Sequence, residues 1–434
     1  MQYLRRRQFI PWLDPATRGW AVTTAGGGAR LALGFVASVL LARALGPAGF
    51  GLFAVLGAVA NVVGAGADFG INDAAVKRVA GAWPADPALA AERGRAFFWL
   101  RAGAAVLVAG VGSLLAVALA LLSQIPPNLG LLLPLALLGM AATALSGAVG
   151  ALLQATGRFG RLALMALVNA GLTAALAVAL ALTGRLTLVT ALLVLGAATS
   201  LAGFAVGRRF LPAGWRLAGP GRAALAAEWR ALFAFGRWLW VANVCAMLAA
   251  QLDVLLLDRW RDAATVGAYA LALNLASKAD IVNSSLYTVL LPAAASLHGA
   301  PAPSAVLGGA VGRYVRRSLA RSALIALALL PAIPLAGIAI PLVYGPAYAP
   351  AVGLFRGLLA VVIFDVFATP LLLLVYHYER PRLLAGADAL RALTVALAGV
   401  ALIPALGAPG AILARLGGRV AGAALTAARL RTQD

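Results

Sequence analysis

Apolar stretches of about 20 residues or more recur along the whole chain, and short polar gaps separate them. A helix rises about 1.5 Å per residue, so a stretch of this length can cross the hydrocarbon core of a bilayer. Lipid offers the backbone no hydrogen-bond partner, and a helix satisfies its own backbone groups. The pattern therefore predicts an all-α polytopic membrane protein, which agrees with a content of 63% hydrophobic and 11% charged residues.

The apolar stretches predict twelve transmembrane helices. They are residues 20–42, 50–75, 97–122, 129–155, 161–183, 186–206, 232–257, 265–291, 319–343, 352–376, 383–404 and 407–427. The longest gap, at about 207–231, divides them into two groups of six. We therefore predict an N-terminal six-helix lobe with a cytoplasmic tail (1–206), a cytoplasmic linker (207–231) and a C-terminal six-helix lobe (232–434).

Basic residues are concentrated in every second gap between the predicted spans. Of the 35 Lys and Arg residues, 27 are assigned to the side of these alternating gaps, Arg415 and Arg419 among them. Four are assigned to the other gaps and four to span interiors. Because cytoplasmic gaps carry the excess of basic residues, both termini are predicted to be cytoplasmic. The net charge of +21 is thus explained without a nucleic-acid partner, since the charges flank spans and do not form one patch.

Motifs for chemistry are missing from the sequence. There is one cysteine, Cys245, and the two histidines lie far apart, so no zinc pattern exists. A glycine-rich phosphate loop and a large loop with paired carboxylates are also absent. The expectation is a protein that is not an enzyme and has no metal or cofactor.

The two halves resemble one another at an offset of 216 residues. Arg43 and Gly51 correspond to Arg259 and Gly267, each pair at the junction of the first two spans of its half. Six is an even number, so both halves begin on the same side of the membrane. Parallel repeats of this kind occur in transporters, which bind substrate between the repeats.

Cations inside predicted spans are expensive and are functional hypotheses by default. Arg30 lies midway along the first span, and Lys278 lies in the eighth span one turn after Asn274. Both are predicted to bind a phosphate or diphosphate group, with Asn274 and Arg356 as further substrate-binding candidates. Snorkelling or pairing with an aspartate remains the alternative for each cation.

Carboxylates inside or near spans are candidates for ion coupling or gating. Asp68 follows a glycine-containing segment that predicts a loosened helix, and Asp365 lies in the tenth span. Asp388 and Arg391 are three residues apart, so they are predicted to pair along one helix. Asp253 is turned away from Gln251 in the seventh span and is expected to serve helix packing.

Several segments resemble Wzx-type polysaccharide flippases. In the first half these are 40–54 (LLARALGPAGFGLFA), 67–71 (ADFGI) and 77–80 (KRVA). In the second half they are 251–253 (QLD) and 266–272 (VGAYALA). The resemblance covers nearly the whole chain and extends to a superfamily that also includes drug/cation antiporters and the lipid II flippase.

This resemblance implies a V-shaped bundle of two lobes in a bacterial plasma membrane. It implies alternating access that moves an undecaprenyl-diphosphate-linked oligosaccharide to the outer leaflet, with coupling to a proton or sodium gradient. A polysaccharide polymerase and glycosyltransferases would be its partners. Related flippases carry cationic cavity residues in early spans of each lobe, and Arg30 and Lys278 match them by position.

Three other functions stay open at this stage. A drug/cation antiporter of the same superfamily would prefer acidic cavity residues. A membrane-embedded glycan polymerase or ligase would need a sizeable external loop. A scaffold without transport is the third alternative.

Overall fold

The computed structural model describes residues 15–83, 85–212, 215, 219–279, 309–377 and 381–431. Over these residues every regular element is a helix, which confirms the predicted all-α class. The last part of the predicted eighth span, residues 280–291, lies outside the described residues, as does Arg380 of the predicted basic gaps.

The main helices of the described residues are numbered α1 to α13 in chain order. The first are α1 (Pro15–Gly66), α2 (Ile71–Ala82), α3 (Pro87–Leu121), α4 (Pro127–Ala155), α5 (Phe159–Leu182) and α6 (Leu188–Arg209). They are followed by α7 (Arg222–Trp260), α8 (Ala263–Ala279), α9 (Gly309–Leu329), α10 (Ala332–Tyr344), α11 (Ala351–His377), α12 (Pro381–Leu406) and α13 (Ala408–Arg431). Their Ala- and Leu-rich sequences have high intrinsic helix propensity.

Ten helical segments of the described residues are long and apolar enough to cross a bilayer. The prediction of a multi-pass membrane protein is therefore confirmed. The count of ten treats α1 as one segment, although α1 contains the first predicted span and residues 50–66 of the second. It also leaves out α8, whose described part has 17 residues.

Element α1 consists of two helices that meet at a kink in the predicted gap between the first two spans. Gly46 has φ 64° and ψ 177°, and Pro47 follows it inside α1. Glycine tolerates this left-handed φ, and proline supplies no N–H to the helical ladder, so one helix ends at the kink and a second begins there. The kink lies inside the predicted gap at 43–49, between the first two predicted spans.

Two other predicted spans have different limits in the structure. The second, 50–75, is interrupted because α1 ends at Gly66 and α2 begins at Ile71. This break contains Asp68, where the sequence predicted a loosened helix. The ninth, 319–343, is divided between α9 and α10 at Leu330 and Pro331.

The helices belong to two compact units. The first comprises the chain up to Leu40, Ile71–Leu119 and Pro134–Phe233. The second comprises Leu41–Gly70, Ala120–Leu133 and the chain from Ala234 onward. The predicted lobe boundaries at 206 and 232 stay predictions.

The second part of the predicted linker is helical, since α7 begins at Arg222 and continues into the seventh span. Within the first unit, this start of α7 is tied to α2 by a bidentate ion pair. Arg78 donates from Nε to Oε1 of Glu228 at 2.9 Å and from Nη2 to Oε2 at 3.1 Å. The hydrogen bonds that Arg78 donates to the buried carboxylate of Glu228 raise the pKa of Arg78 above its ordinary value.

The second unit contains two close approaches between glycines. A Cβ on Gly267 of α8 would lie 1.8 Å from the carbonyl oxygen of Pro47, and a Cβ on Gly51 would lie 2.0 Å from that of Ala263. The two glycines that the internal repeat singled out therefore form one tight helix crossing, as small residues allow in membranes. Gly70 and Gly236 approach in the same way, with a Cβ on Gly70 2.3 Å from the Gly236 oxygen.

We expect Gly267→Ala to destabilise the protein by about 1–3 kcal/mol, because the new methyl group would meet backbone that cannot move aside. Gly57→Ala is the matched control, since a Cβ on this α1 glycine meets nothing within 4 Å. Thermal unfolding of the purified chain in detergent, followed by tryptophan fluorescence, gives the comparison. Equal midpoints for the two variants would contradict the tight crossing.

Candidate functional site

A cavity of about 600 Å³ lies within the first unit. Eight polar residues line it: Arg30, Asn72, Asp73, Thr143, Ser146, Gln154, Asn169 and Ser200. The remaining lining is small or apolar, namely Val76, Gly147, Gly150, Ala151, Leu162, Met165, Ala166 and Ala170. Its size and mixed lining are those of a small-molecule site.

Five helices supply the polar residues. Arg30 comes from α1, while Asn72 and Asp73 lie in the first turn of α2. On α4, Thr143, Gly147, Gly150 and Gln154 recur at spacings of three and four residues, which places them on one helix face. Asn169 of α5 and Ser200 of α6 complete the set.

Close packing between α4, α5 and α6 positions three of these side chains. A Cβ on Gly203 of α6 would lie 3.0 Å from Nδ2 of Asn169 and 3.2 Å from Oγ of Ser146. The missing side chain of Gly203 therefore leaves the room that the amide and the hydroxyl occupy. Thr143 and Ser200 form a hydroxyl–hydroxyl hydrogen bond at 3.1 Å across α4 and α6.

A π-helical segment, Ala191–Ala198, precedes Ser200 in α6. An i→i+5 segment shifts the face that the following residues present, and such segments are frequent at functional sites. Ser200 lines the cavity two residues after this segment ends.

The charges of the cavity lining balance. Arg30 contributes one positive charge and Asp73 one negative charge, and both side chains are exposed. Three amides and three hydroxyls supply the other polar groups. Such a lining can hydrogen-bond a neutral, hydroxyl-rich ligand and can present one guanidinium fork to a phosphate.

Arg30 is the only predicted substrate-binding residue that lines this cavity. Lys278 and Asn274 belong to α8 in the second unit, where the Lys278 ammonium donates to Oδ1 of Asn274. Arg356 of α11 is exposed and donates from Nε to the carbonyl oxygen of Ile333 in α10 at 2.9 Å. The hydrogen bond from Arg356 to Ile333 is a structural contact, since it joins α11 to α10.

Two arginines near the repeated motif bind helix ends in the second unit. Arg43 donates to the carbonyl oxygens of Val343 at 2.7 Å and Leu342 at 2.8 Å, at the end of α10. Arg259, which corresponds to Arg43 in the repeat, is exposed. The comparable contact is made two residues later by Arg261, which donates to the carbonyl oxygen of Pro404 at 2.9 Å.

A buried ion-pair network joins three helices of the second unit. Asp253 of α7 has no exposed surface and accepts hydrogen bonds from the Tyr269 hydroxyl at 2.6 Å and from the Arg415 guanidinium. Arg415 also donates to the carbonyl oxygen of Ala250 at 3.2 Å. The expectation that Asp253 serves helix packing agrees with this position between α7, α8 and α13.

Two further pairs extend the ionic cluster. Arg419 of α13 lies 3.1 Å from Asp365 of α11, and Arg391 lies 3.6 Å from Asp388 along α12. The second pair is the one predicted from the spacing of three. Asp365, predicted to serve ion coupling or gating, is thus neutralised by a guanidinium in this conformation.

Arg415 and Arg419 correct the charge count made from the sequence. They were assigned to the basic residues that flank the spans, but both lie inside α13 and pair with buried aspartates. The signal was present, because the two arginines are four residues apart within an apolar segment. Partners on α7 and α11 could not be recognised without the packing.

Two other predicted residues, Asp68 and Gln251, lie outside the cavity lining. Asp68 is half-buried at the break between α1 and α2, and its backbone N–H donates to the Ala65 oxygen at 3.3 Å. Gln251 lies one turn after Met247 and donates to its sulfur at 3.8 Å. Sequence reasoning missed seven polar cavity residues: Asn72, Asp73, Thr143, Ser146, Gln154, Asn169 and Ser200.

Solved structures with the same helical architecture are transporters. A multidrug resistance transporter of the MATE family, in the MOP superfamily, superposes with a TM-score of 0.68 at 12% identity, covering 93% of this chain and 96% of its own. The lipid II flippase MurJ gives 0.68 at 12% identity, covering 95% and 87%. A MOP superfamily transporter from Pyrococcus furiosus gives 0.56 at 15% identity, covering 95% and 93%.

A polytopic helical bundle with these neighbours has the fold of MOP superfamily transporters. The sequence profile of the polysaccharide biosynthesis protein family matches residues 16–298, which is more than half of the chain. The chain therefore belongs to the polysaccharide biosynthesis protein family, as the resemblance to flippases implied. No curated protein matches the sequence.

We expect Asp253→Asn and Arg415→Gln each to destabilise the protein by about 3–5 kcal/mol, because each leaves a buried charge without its partner. The double variant should recover part of this loss, since both charges are then removed together. Arg259→Gln, an exposed arginine on the same helix as Asp253, should change stability by less than about 0.5 kcal/mol. Thermal unfolding midpoints of the four variants would show additive losses if the pair did not exist.

Proposed function

We propose that this chain is a flippase that moves an undecaprenyl-diphosphate-linked oligosaccharide across a bacterial plasma membrane for polysaccharide biosynthesis. The observation that carries the proposal is the neutral cavity of the first unit, which is lined by amides and hydroxyls and has one arginine. Family membership supports a role in polysaccharide biosynthesis, and the lipid II flippase MurJ shares the fold.

The cavity lining suits a sugar attached to a phosphate. Hydroxyls and amides both donate and accept, as sugar hydroxyls require, while Arg30 can hold a phosphate oxygen pair through its planar fork. The apolar residues on α4 and α5 leave space without adding charge. The lipid tail stays in the bilayer, so only the polar head needs a cavity.

Alternating access between two states would carry the head group from one leaflet to the other. Both termini are cytoplasmic in this proposal, and a polysaccharide polymerase and glycosyltransferases act before and after transport. A proton or sodium gradient drives the cycle. Asp68 and Asp365 are the candidates for coupling, and at Asp365 the driving cation would have to compete with Arg419.

The drug/cation antiporter is the competing function, since a MATE family transporter shares the fold equally well. An organic cation gains most from an excess of acidic residues. In the cavity of the first unit Asp73 is balanced by Arg30, so this lining favours the glycan substrate.

The decisive experiment reconstitutes the purified chain in proteoliposomes with a fluorescent lipid-diphosphate-linked oligosaccharide. Arrival at the outer leaflet is scored by chemical quenching, with and without proton and sodium gradients. Translocation by the parent protein supports the proposal. Export of a cationic dye without glycan translocation would overturn it in favour of the antiporter.

In the same assay we expect Arg30→Gln to lower the translocation rate about tenfold or more, because a charge-assisted hydrogen bond contributes about 1.5–3 kcal/mol. Arg30→Lys should retain part of the rate, since the charge remains without the fork. Arg185→Gln is the control, because Arg185 is exposed in the first unit and outside the cavity lining. A normal rate for Arg30→Gln at equal protein amount would contradict the role of Arg30.

A further inference from the structure

Helix α9 has one face packed against its unit. Tyr314, Ser318 and Ser322 are buried and recur every four residues, which places them on one stripe. The Ser322 hydroxyl donates to the carbonyl oxygen of Val366 in α11 at 2.8 Å. This stripe therefore fixes the rotation of α9 about its own axis.

A second stripe of α9 carries exposed arginines. Arg313, Arg317 and Arg321 also recur every four residues, and Arg316 lies between them on a neighbouring part of the surface. All four side chains are exposed. Among the described residues, the ion pairs involve none of these arginines.

The arginine stripe continues into residues that face lipid. Leu324 follows Arg317 by seven residues and Arg313 by eleven, which is about two and three helical turns, so the three share a face. Leu324 is 68% exposed. In the most apolar stretch of residues 313–344, 11% of the residues are buried, so most of this stretch contacts acyl chains in a membrane.

A guanidinium group directly above a lipid-facing leucine lies at the level of the lipid head groups. Arginine binds a phosphate through two parallel hydrogen bonds, and its aliphatic stem can lie along apolar surface. Three guanidinium groups on one stripe favour a lipid with net negative charge, because a zwitterionic head group carries its own compensating cation.

We propose that Arg313, Arg317 and Arg321 bind the phosphate group of an anionic phospholipid whose acyl chains lie along Leu324. This site is separate from the cavity of the first unit and does not depend on the transported substrate. It makes the protein selective for the lipid composition of the membrane around α9.

Native mass spectrometry of the full chain tests this site, after purification with equal amounts of phosphatidylglycerol and phosphatidylcholine. The parent protein should retain phosphatidylglycerol preferentially. In the variant R313Q/R317Q/R321Q, the preference for phosphatidylglycerol should fall at least about tenfold. Each basic residue near an anionic surface strengthens binding about fivefold. Arg317→Gln alone should lower the preference by a smaller factor. This single variant tests the site if the triple variant does not fold.

The matched control is R208Q/R209Q/R222Q, which removes the same charge from exposed arginines at the ends of α6 and α7. It should keep the preference of the parent protein. An equal loss in this control would show bulk charge attraction and overturn the site, as would an unchanged preference in the α9 triple variant. Displacement of phosphatidylglycerol by millimolar inorganic phosphate would overturn the choice of a phospholipid and indicate a site for the free anion.

Discussion

Asp253 and Arg415 form an ion pair in the interior of the second unit, where neither charge could exist alone. Hydrocarbon offers no solvation to a charge, so each buried ion needs a partner in the protein. In the described part of this cluster three arginines and three aspartates cancel: Asp253, Asp365, Asp388, Arg391, Arg415 and Arg419. The pairs between helices connect α13 to α7 and α11, whereas Asp388 and Arg391 pair within α12. The packing of the last helix therefore depends on ion pairs with two others.

This dependence matters more in a membrane than in water. Helices in lipid gain little from apolar contact alone, because acyl chains are as apolar as leucine. Tight packing and polar contacts between helices must supply the difference. In this unit the Gly51–Gly267 crossing provides tight packing, and the Asp253–Tyr269–Arg415 cluster provides polar contacts between helices.

Local signals in the sequence were enough for the helical class, but the crossing of Gly51 and Gly267 was not predicted. Span length follows from hydropathy, and Gly51 and Gly267 were visible through the internal repeat. The cavity was not visible, because Asn169, Ser146 and Ser200 are ordinary polar residues until packing places them around one space. Arg415 and Arg419 were misassigned because counting charges by side of the membrane ignores what each charge contacts.

The two units differ in how they use polar groups. In the described part of the second unit, the buried carboxylates of Asp253 and Asp365 are each paired with an arginine. In the first unit the polar residues line a space, and Gly147, Gly150 and Ala151 keep one side of it small. A ligand that needs many hydrogen bonds and little net charge is therefore served by the first unit.

Arg43 and Arg261 make equivalent contacts in the two halves of the repeat, although Arg261 lies two residues after Arg259, the residue that corresponds to Arg43. Each donates to backbone carbonyls in the last turn of a helix, α10 or α12, and a glycine with positive φ follows each of these helices. The last carbonyls of a helix have no partner within it, and the cationic side chain also matches the negative end of the helix dipole. Because the requirement is a guanidinium within reach of those carbonyls, a shift of two residues from Arg259 to Arg261 satisfies it equally well.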